Sequence, residues 1–226
     1  MRFVTGNVAM KYQLPDFSKK SFAQTNSQTI FQRALLLKEL LSTPVSIAEL
    51  CCGDCSQQFQ TYSKELNLER YCGLDIDPRV KKLNAANSIE CVQGDVLDKK
   101  MLQLFTNFDV VFFGPPLSVN CDGHQLFSFS EVVPSYGDFA KLFLGGLNYQ
   151  GTLICICPRT TTIGDITQLH NQIRAYRKDI GLRLIHHSHS TMTGSGEETE
   201  LRLKYKELWF SIYPENAWEI RESKPG

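Results

Sequence analysis

Short apolar runs alternate with longer amphipathic stretches along the chain from Val45 onward. This alternation is typical of a parallel sheet that is covered by helices. Seven runs have the length and apolar content of strands; they cover 46–50, 71–75, 90–94, 109–113, 151–157, 182–187 and 207–213. Because no helical pattern separates the last two runs, the sequence predicts an α/β fold: a seven-stranded, mostly parallel sheet with a final antiparallel strand and helices on both faces.

Helices are predicted in the intervals between these strands. Segment 29–41 places its apolar residues on one helical face, at Ile30, Ala34, Leu37 and Leu41. Asp77 and Pro78 form the start signal of another helix, with Asp77 as N-cap and Pro78 at the first helical position. Further helices are expected at 56–66, 78–86, 136–147 and 165–179. Segment 190–204 is rich in Gly, Thr and Glu, so we expect a flexible loop there and not a tight hairpin.

The charges of the chain balance, with 24 Lys and Arg against 24 Asp and Glu, so composition alone does not indicate a basic surface for nucleic acid. No apolar run approaches the roughly 18 residues that a membrane span needs. The first residues also lack the apolar run of a secretory signal. We therefore expect a cytoplasmic protein without a membrane partner. The eight cysteines are expected to be reduced thiols, most of them in the core.

Two clusters contain residue types that ligate metals. Segment 51–55 (CCGDC) has three cysteines, but no second Cys or His pair stands at a zinc-site spacing. His186, His187 and His189 stand close together, but on a strand His187 and His189 share one face and His186 faces the other way. We therefore expect no metal site, and we place the histidines at the surface or near an acceptor pocket.

Acidic residues stand at or just after the ends of the first three predicted strands. Glu49 precedes the small-residue turn at 51–55, where a ligand can approach the backbone and the Glu49 carboxylate can pair with a charged amino-acid moiety. Asp75 ends the second strand, in position to accept both ribose hydroxyls of an adenosine-containing cofactor. Asp95 follows the third strand, where it can accept a hydrogen bond from an exocyclic amine such as that of adenine. The carboxyl ends of parallel strands share one edge of the sheet, where ligands bind.

Four segments, ELCCGDCS, GLDIDP, QGDV and FDVVFFGPPL, resemble motifs I to IV of class I S-adenosylmethionine-dependent methyltransferases. The resemblance implies a methyltransferase with S-adenosylmethionine as its cofactor, built as a Rossmann-like domain at 45–226 with an N-terminal helical segment at 1–44 packed on the core. It implies that the turn at Gly53 contacts the methionine part, Asp75 the ribose, and Asp95 with Val96 the adenine. The residues expected at the cofactor are Glu49, Cys51, Gly53, Asp54, Asp75, Ile76, Asp95 and Val96.

Segment 114–117 (GPPL) is similar to the Pro-Pro loop of methyltransferases that act on exocyclic amines or amides, including adenine-N6 and cap guanine-N2 enzymes. The similarity implies a catalytic loop formed by Gly114, Pro115, Pro116 and Leu117. It also implies methylation of a nitrogen in a nucleic acid. RNA is favoured over DNA because little chain is left for a DNA-recognition domain, and a protein partner that delivers the substrate is a further expectation.

The same loop keeps an alternative open. Those enzymes carry a polar side chain at the first loop position and an aromatic ring at the last, where this chain has Gly114 and Leu117. The alternative is a catalytically silent methyltransferase-like fold that binds or scaffolds a partner. A nicotinamide-dependent oxidoreductase shares the strand-end Asp75, but the chain lacks the glycine fingerprint of such enzymes.

Three further groups are candidates for the substrate side of the site. They are Asn120, Asp122 and His124 after the Pro-Pro loop, the aromatic pair Phe127 and Phe129, and a one-sided basic patch of Arg174, Arg177 and Lys178. Their functional interpretations are substrate contact, base stacking and phosphate contact, respectively. The competing interpretations are a polar loop, buried aromatic rings and a solvated helix face.

Overall fold

The computed structural model describes residues 27–41, 44–115, 129, 132–158, 160–192, 198–212 and 218–223. Its strands are β1 Val45–Leu50, β2 Leu68–Asp75, β3 Glu90–Gln93, β4 Val110–Phe113, β5 Thr152–Pro158, β6 Ile180–Met192, β7 Glu198–Ile212 and β8 Trp218–Ser223. Its helices are α1 Ser27–Leu40, α2 Ser56–Glu65, α3 Pro78–Ala85, α4 Lys99–Gln103, α5 Tyr136–Ala140 and α6 Ile163–Tyr176. A π-helical segment, Lys141–Gly146, continues α5. All predicted strands and helices are present, and α4 and β8 are additional.

The strands form one eight-stranded sheet in the order β3-β2-β1-β4-β5-β7-β6-β8. The pairs among β1 to β5 are parallel, and β7 runs antiparallel to both of its neighbours, β5 and β6. At the far edge, β8 pairs in parallel with β6. The predicted α/β fold, a mostly parallel sheet whose seventh strand is antiparallel, is therefore confirmed, and the final strand β8 is an addition that was not predicted.

Helices cover both faces of the sheet, as predicted. α1, α2 and α3 contribute to one hydrophobic core, and α4, α5 and α6 contribute to the core on the opposite face. Alternate residues of a strand point to opposite faces. In β1, Ile47 packs in the core of α1 to α3, whereas Ala48 and Leu50 pack in the other core. Glu49 therefore shares the face of Ile47, toward α1 to α3.

Capping side chains fix where four of the helices begin. Asp77 accepts a backbone N–H of the first turn of α3, and Pro78 occupies the start of that helix, which confirms the predicted start signal. Asp98, Ser135 and Thr162 make the same kind of cap at α4, α5 and α6. In the described part of the chain, no helix has the length and apolar content needed to cross a membrane.

β6 and β7 form a long antiparallel hairpin. Their pairing continues as far as Met192 opposite Glu198. The expected flexible loop is therefore wrong for 190–192 and 198–204, which are strand. In 199–204 (TELRLK), Leu201 and Leu203 alternate with charged residues. This two-residue period is that of a strand, and it outweighs the Gly and Thr content of the segment.

Candidate functional site

The segments that follow β1, β2, β3 and β4 lie side by side at the carboxyl edge of the sheet. Three backbone hydrogen bonds just beyond the paired strands join them: Cys52 N–H to the Leu74 carbonyl (3.2 Å), Gly94 N–H to the Asp75 carbonyl (2.9 Å) and Gly114 N–H to the Leu50 carbonyl (3.3 Å). The predicted placement of all four strand ends at one edge is therefore confirmed. The roles of their side chains in binding stay predictions.

The turn between β1 and α2 has an unusual backbone. The φ angle is 60° at Cys51 and 51° at Gly53, in the left-handed region that favours glycine. For Cys51 this conformation costs about 1–2 kcal/mol, so the surroundings must hold it in place. Asp54 supports the end of the turn, because its Oδ1 accepts the Ser56 N–H at 3.1 Å where α2 begins. A tight turn of this kind lets a ligand approach the backbone closely.

Asp75 holds this turn against β2. Its Oδ2 accepts the Gly53 N–H at 2.9 Å, and its Oδ1 accepts the Asp77 N–H at 2.9 Å. Burial raises the pKa of Asp75 above its ordinary value, although these backbone N–H groups oppose the shift. A carboxylate offers about four acceptor positions, so these two bonds and a backbone contact from Ile76 leave capacity for a ribose hydroxyl. Ile76, the next residue, is half-buried at the same edge.

Asn84 is a residue of the site that the sequence analysis missed. It is fully buried in α3. Its Nδ2 donates to the Gly53 carbonyl at 2.9 Å, and its Oδ1 accepts from the backbone N–H and the thiol of Cys55, at 3.3 and 3.4 Å. One side chain thus fixes the turn on both sides of Asp54. Asparagine is a poor helix former, so its position inside a predicted helix was the available signal.

Glu49 is almost fully buried, with 5% of its surface exposed. Burial raises its pKa to about 7, although the positive charge of Arg33 opposes the shift. Within the described residues its Oε1 makes no hydrogen bond of normal geometry, although the Tyr71 hydroxyl lies near enough to oppose the rise of the Glu49 pKa. Leaving a buried acceptor unpaired is unfavourable by about 1–3 kcal/mol. A hydrogen bond from a ligand ammonium group would remove this penalty, so Glu49 is compatible with its predicted role.

Cys51 is near enough to Asp75 and Asp95 for their charges to act on its thiol. Burial raises the pKa of its thiol, and the negative charges of Asp75 and Asp95 raise it further. Asp95 is half-buried, and its Oδ1 accepts the Leu97 N–H at 2.8 Å. Val96 is buried beside it. The three carboxyl-edge segments that resemble cofactor motifs thus converge on Cys51.

No protein-family profile and no curated protein sequence matches the chain. Solved structures do match it. The methyltransferase domain of the bacterial Hen1 CtHen1-CN has a TM-score of 0.57 at 12% identity, over 82% of this chain and 98% of that one. The small RNA methyltransferase HEN1 has a TM-score of 0.54 at 10% identity, over 88% of this chain and 28% of that one. The plantazolicin methyltransferase BpumL, in complex with SAH, has a TM-score of 0.50 at 14% identity, over 83% and 85%. This chain has the methyltransferase fold.

Within the methyltransferase fold, the segment after β4 carries the predicted catalytic loop. Gly114 is half-buried and Pro115 is buried directly after the strand. A Cβ atom at Gly114 would lie 3.4 Å from Ile156 Cδ1, an ordinary contact, so the position has room for a side chain. Pro116 and Leu117 lie outside the described residues, as do Asn120, Asp122, His124 and Phe127.

Phe129 belongs to the interior of the methyltransferase fold. It is 9% exposed, and its ring packs against Tyr136 with 4.6 Å between centroids. The buried-ring interpretation therefore holds for Phe129, and its placement gives no support to base stacking.

The basic residues predicted to form a patch on the last helix do not all lie on one exposed face. Arg177 is buried; it donates to the carbonyls of Leu144 and Tyr149 and pairs with Asp179 at 2.7 Å. A guanidinium that caps carbonyls inside the protein is unavailable to phosphate, so the prediction of a one-sided patch is wrong at Arg177. Sequence spacing gave no indication of the distant carbonyls that draw this side chain inward.

The predicted histidine cluster includes a residue, His187, that does not lie at the surface. His187 is fully buried, and its Nε2 lies 3.1 Å from Glu207 Oε1. Arg33 lies 2.6 Å from the same oxygen. His187 is thus part of a buried polar cluster and not a surface histidine. Within the described residues, no group of three His, Cys, Asp or Glu side chains is arranged to hold a metal ion.

Proposed function

We propose that this chain is an S-adenosylmethionine-dependent methyltransferase that methylates a nitrogen of a nucleic acid, RNA in preference to DNA. One observation carries the proposal: the Asp75 carboxylate at the end of β2 holds the Gly53 turn at 2.9 Å and retains acceptor capacity for a ribose. This arrangement stands at the carboxyl edge of the sheet, where α/β folds bind ligands. The structural likeness to methyltransferases supports it.

The proposed cofactor residues form three groups at the carboxyl edge of the sheet, one for each part of S-adenosylmethionine. Glu49, Cys51, Gly53 and Asp54 hold the methionine part, where the unpaired Glu49 Oε1 accepts from the amino group. Asp75 and Ile76 hold the ribose, and Asp95 and Val96 hold the adenine. S-adenosylmethionine supplies a methyl group on a sulfonium, so transfer depends mainly on alignment and on a site from which water is excluded.

The acceptor nitrogen is assigned to the loop that begins at Gly114. Without a side-chain acceptor at this position, the backbone carbonyls of Gly114 and Pro115 orient the nitrogen. Similarity of the loop to that of amine and amide methyltransferases supports nitrogen as the target, and the likeness to the small RNA methyltransferase HEN1 supports RNA. Because the net charge of the chain is zero, we also propose that a partner protein helps deliver the RNA.

Transfer of a labelled methyl group from S-adenosylmethionine to total RNA, total DNA and protein tests this proposal. We expect label in the RNA pool and its loss in Asp75→Asn. Asp109→Asn is the matched control, because Asp109 also accepts two hydrogen bonds, from Ser46 N–H (2.7 Å) and Ser46 Oγ–H (2.6 Å), but at the opposite edge of the sheet. Label in DNA or protein alone would overturn the assignment of RNA.

The absence of a side chain at Gly114 favours a second candidate, a silent methyltransferase-like fold that binds the cofactor and scaffolds a partner. Binding of S-adenosylhomocysteine without transfer to any pool would support this candidate. Gly114→Asn makes the test sharper, since the space beside Ile156 admits a side chain. If only Gly114→Asn transfers methyl groups, the fold has lost catalysis through this position.

A further inference from the structure

Two thiols face each other where the turn between β1 and α2, the predicted cofactor turn, meets β3. The Sγ atoms of Cys52, in the turn, and Cys91, on β3, are 3.7 Å apart. Their residues are 8% and 9% exposed, whereas the third nearby thiol, Cys55, is fully buried. The residues of this pair thus lie closer to the protein surface than Cys55.

Gly73 of β2 makes the approach of these thiols possible. Gly73 pairs with Cys91 in the sheet. A Cβ atom at Gly73 would lie 2.7 Å from Cys52 Sγ and 3.3 Å from Cys91 Sγ. Real Cβ atoms do not approach a sulfur so closely, so any larger residue would push the two thiols apart. The two sulfur atoms thus occupy the space that a side chain at Gly73 would fill.

We propose that Cys52 and Cys91 are an oxidation site, at which a hydroperoxide forms a disulfide that weakens cofactor binding. The expected loss of cofactor affinity rests on the proposed function, whereas formation of the disulfide does not. A hydrogen bond from the Cys52 thiol lowers the pKa of Cys91, and a contact with Asn84 acts in the same direction. Cys91 is accordingly the attacking sulfur, because the thiolate is the nucleophile.

The chemistry proceeds in two balanced steps. The Cys91 thiolate attacks one oxygen of hydrogen peroxide, the O–O bond breaks, and with one proton the products are a sulfenic acid and water. The Cys52 sulfur then attacks the Cys91 sulfur, the S–O bond breaks, and the second water leaves as the disulfide forms. Two thiols are oxidised and one peroxide is reduced to two waters.

Closing the disulfide must move the turn. An S–S bond is about 2.05 Å long, so the sulfurs have to approach by roughly 1.6 Å. Cys91 is held by the ladder between β2 and β3, whereas Cys52 lies outside any strand and is tied to β2 by the bond from its N–H to the Leu74 carbonyl, at 3.2 Å. Cys52 therefore moves most, and its neighbour Gly53 is displaced from Asp75 and Asn84, which it contacts at 2.9 Å each. We expect cofactor affinity to fall at least tenfold.

The test compares reduced and peroxide-treated protein. Non-reducing digestion with mass spectrometry should find a Cys52–Cys91 peptide pair lighter by two hydrogen atoms. Calorimetry should find at least tenfold weaker binding of S-adenosylhomocysteine, restored by dithiothreitol. A crosslink between Cys52 and Cys55, or over-oxidation without a crosslink, would overturn the assignment of the pair. An intact Cys52–Cys91 disulfide with unchanged affinity would overturn its effect.

Two variants control the experiment. Cys91→Ser should retain full affinity after peroxide treatment, whereas Cys155→Ser, which removes a buried thiol of the opposite core, should respond as the unmodified protein does. If Cys91→Ser does not fold, reversal by dithiothreitol in the unmodified protein still decides the question. If the reduced protein binds no S-adenosylhomocysteine, the proposed function fails, and the peptide map together with hydrogen exchange at the turn still tests the disulfide.

Discussion

Asn84 holds the predicted cofactor turn through contacts with Gly53 and Cys55 on either side of Asp54. We expect Asn84→Ala to lower the free energy of unfolding by about 2 kcal/mol, because the partly buried Gly53 carbonyl loses its side-chain donor. Binding of S-adenosylhomocysteine should weaken at least tenfold. The matched control is Asn87→Ala, since Asn87 is exposed just beyond the same helix and its contact with the Leu83 carbonyl is long, at 3.5 Å. Equal effects of the two variants in urea unfolding and calorimetry would contradict this role.

Glu49 makes the stability of the protein depend on pH. Burial raises its pKa from 4.5 to about 7. Below about pH 4 the carboxyl is protonated in both states, and between pH 4.5 and 7 it ionises only in the unfolded chain. The stability that Glu49 contributes is therefore lost as the pH rises through this window, by about 1.4 kcal/mol per pH unit.

Glu49→Gln removes this titration. The free energy of unfolding of the variant, minus that of the unmodified protein, should increase from pH 4.5 to pH 7, by about 3 kcal/mol in total. Urea unfolding at a series of pH values measures this difference directly. A difference that does not change with pH would show that Glu49 titrates near its ordinary value.

At the scale of the elements, α1 is joined to β7 by a buried ion pair. Arg33 lies 2.6 Å from Glu207, and both side chains are almost completely inaccessible. Burial alone would raise the pKa of Glu207, but the charge of Arg33 holds it well below its ordinary value. The pair replaces apolar packing at the centre of the helix, between Ile30 and Leu37, which contact the core.

Removing one partner of this pair leaves the other charge buried. We expect Arg33→Met to lower the free energy of unfolding by about 3–5 kcal/mol, whereas Arg33→Met with Glu207→Gln should recover much of that loss. Lys38→Met is the control, because Lys38 is exposed on the same helix. Chemical unfolding measures all three, and a loss below 1 kcal/mol in Arg33→Met would contradict the structural role of the pair.

The elements differed in how well their patterns predicted them. β1 and α3 were predictable because β1 is mostly apolar, as expected of a strand buried on both faces, and because Asp77-Pro78 is a strong start signal. α4 has five residues, too few for a helical period to be visible. β8 has six residues and little apolar content. Nothing in its own sequence indicates that it pairs with β6.

At the scale of the whole molecule, the sequence predicts which groups share an edge but not which side chains meet in the interior. Parallel strands must end at the same edge, so Asp75, Asp95 and the turn at Gly53 could be placed together. Arg33 and Glu207 are 174 residues apart, and no local pattern announces their pairing. Arg177 was misjudged for the same reason, since the carbonyls it caps belong to a distant segment.

We propose above that the carboxyl edge of this sheet binds S-adenosylmethionine through Asp75. Calorimetric titration of S-adenosylhomocysteine into the unmodified protein, Asp75→Asn and Asp109→Asn tests it most directly. We predict saturable binding by the unmodified protein and by Asp109→Asn, and affinity at least tenfold weaker in Asp75→Asn, a loss of about 1.4 kcal/mol or more. Equal affinity in all three folded proteins, or no binding by the unmodified protein, would contradict the claim.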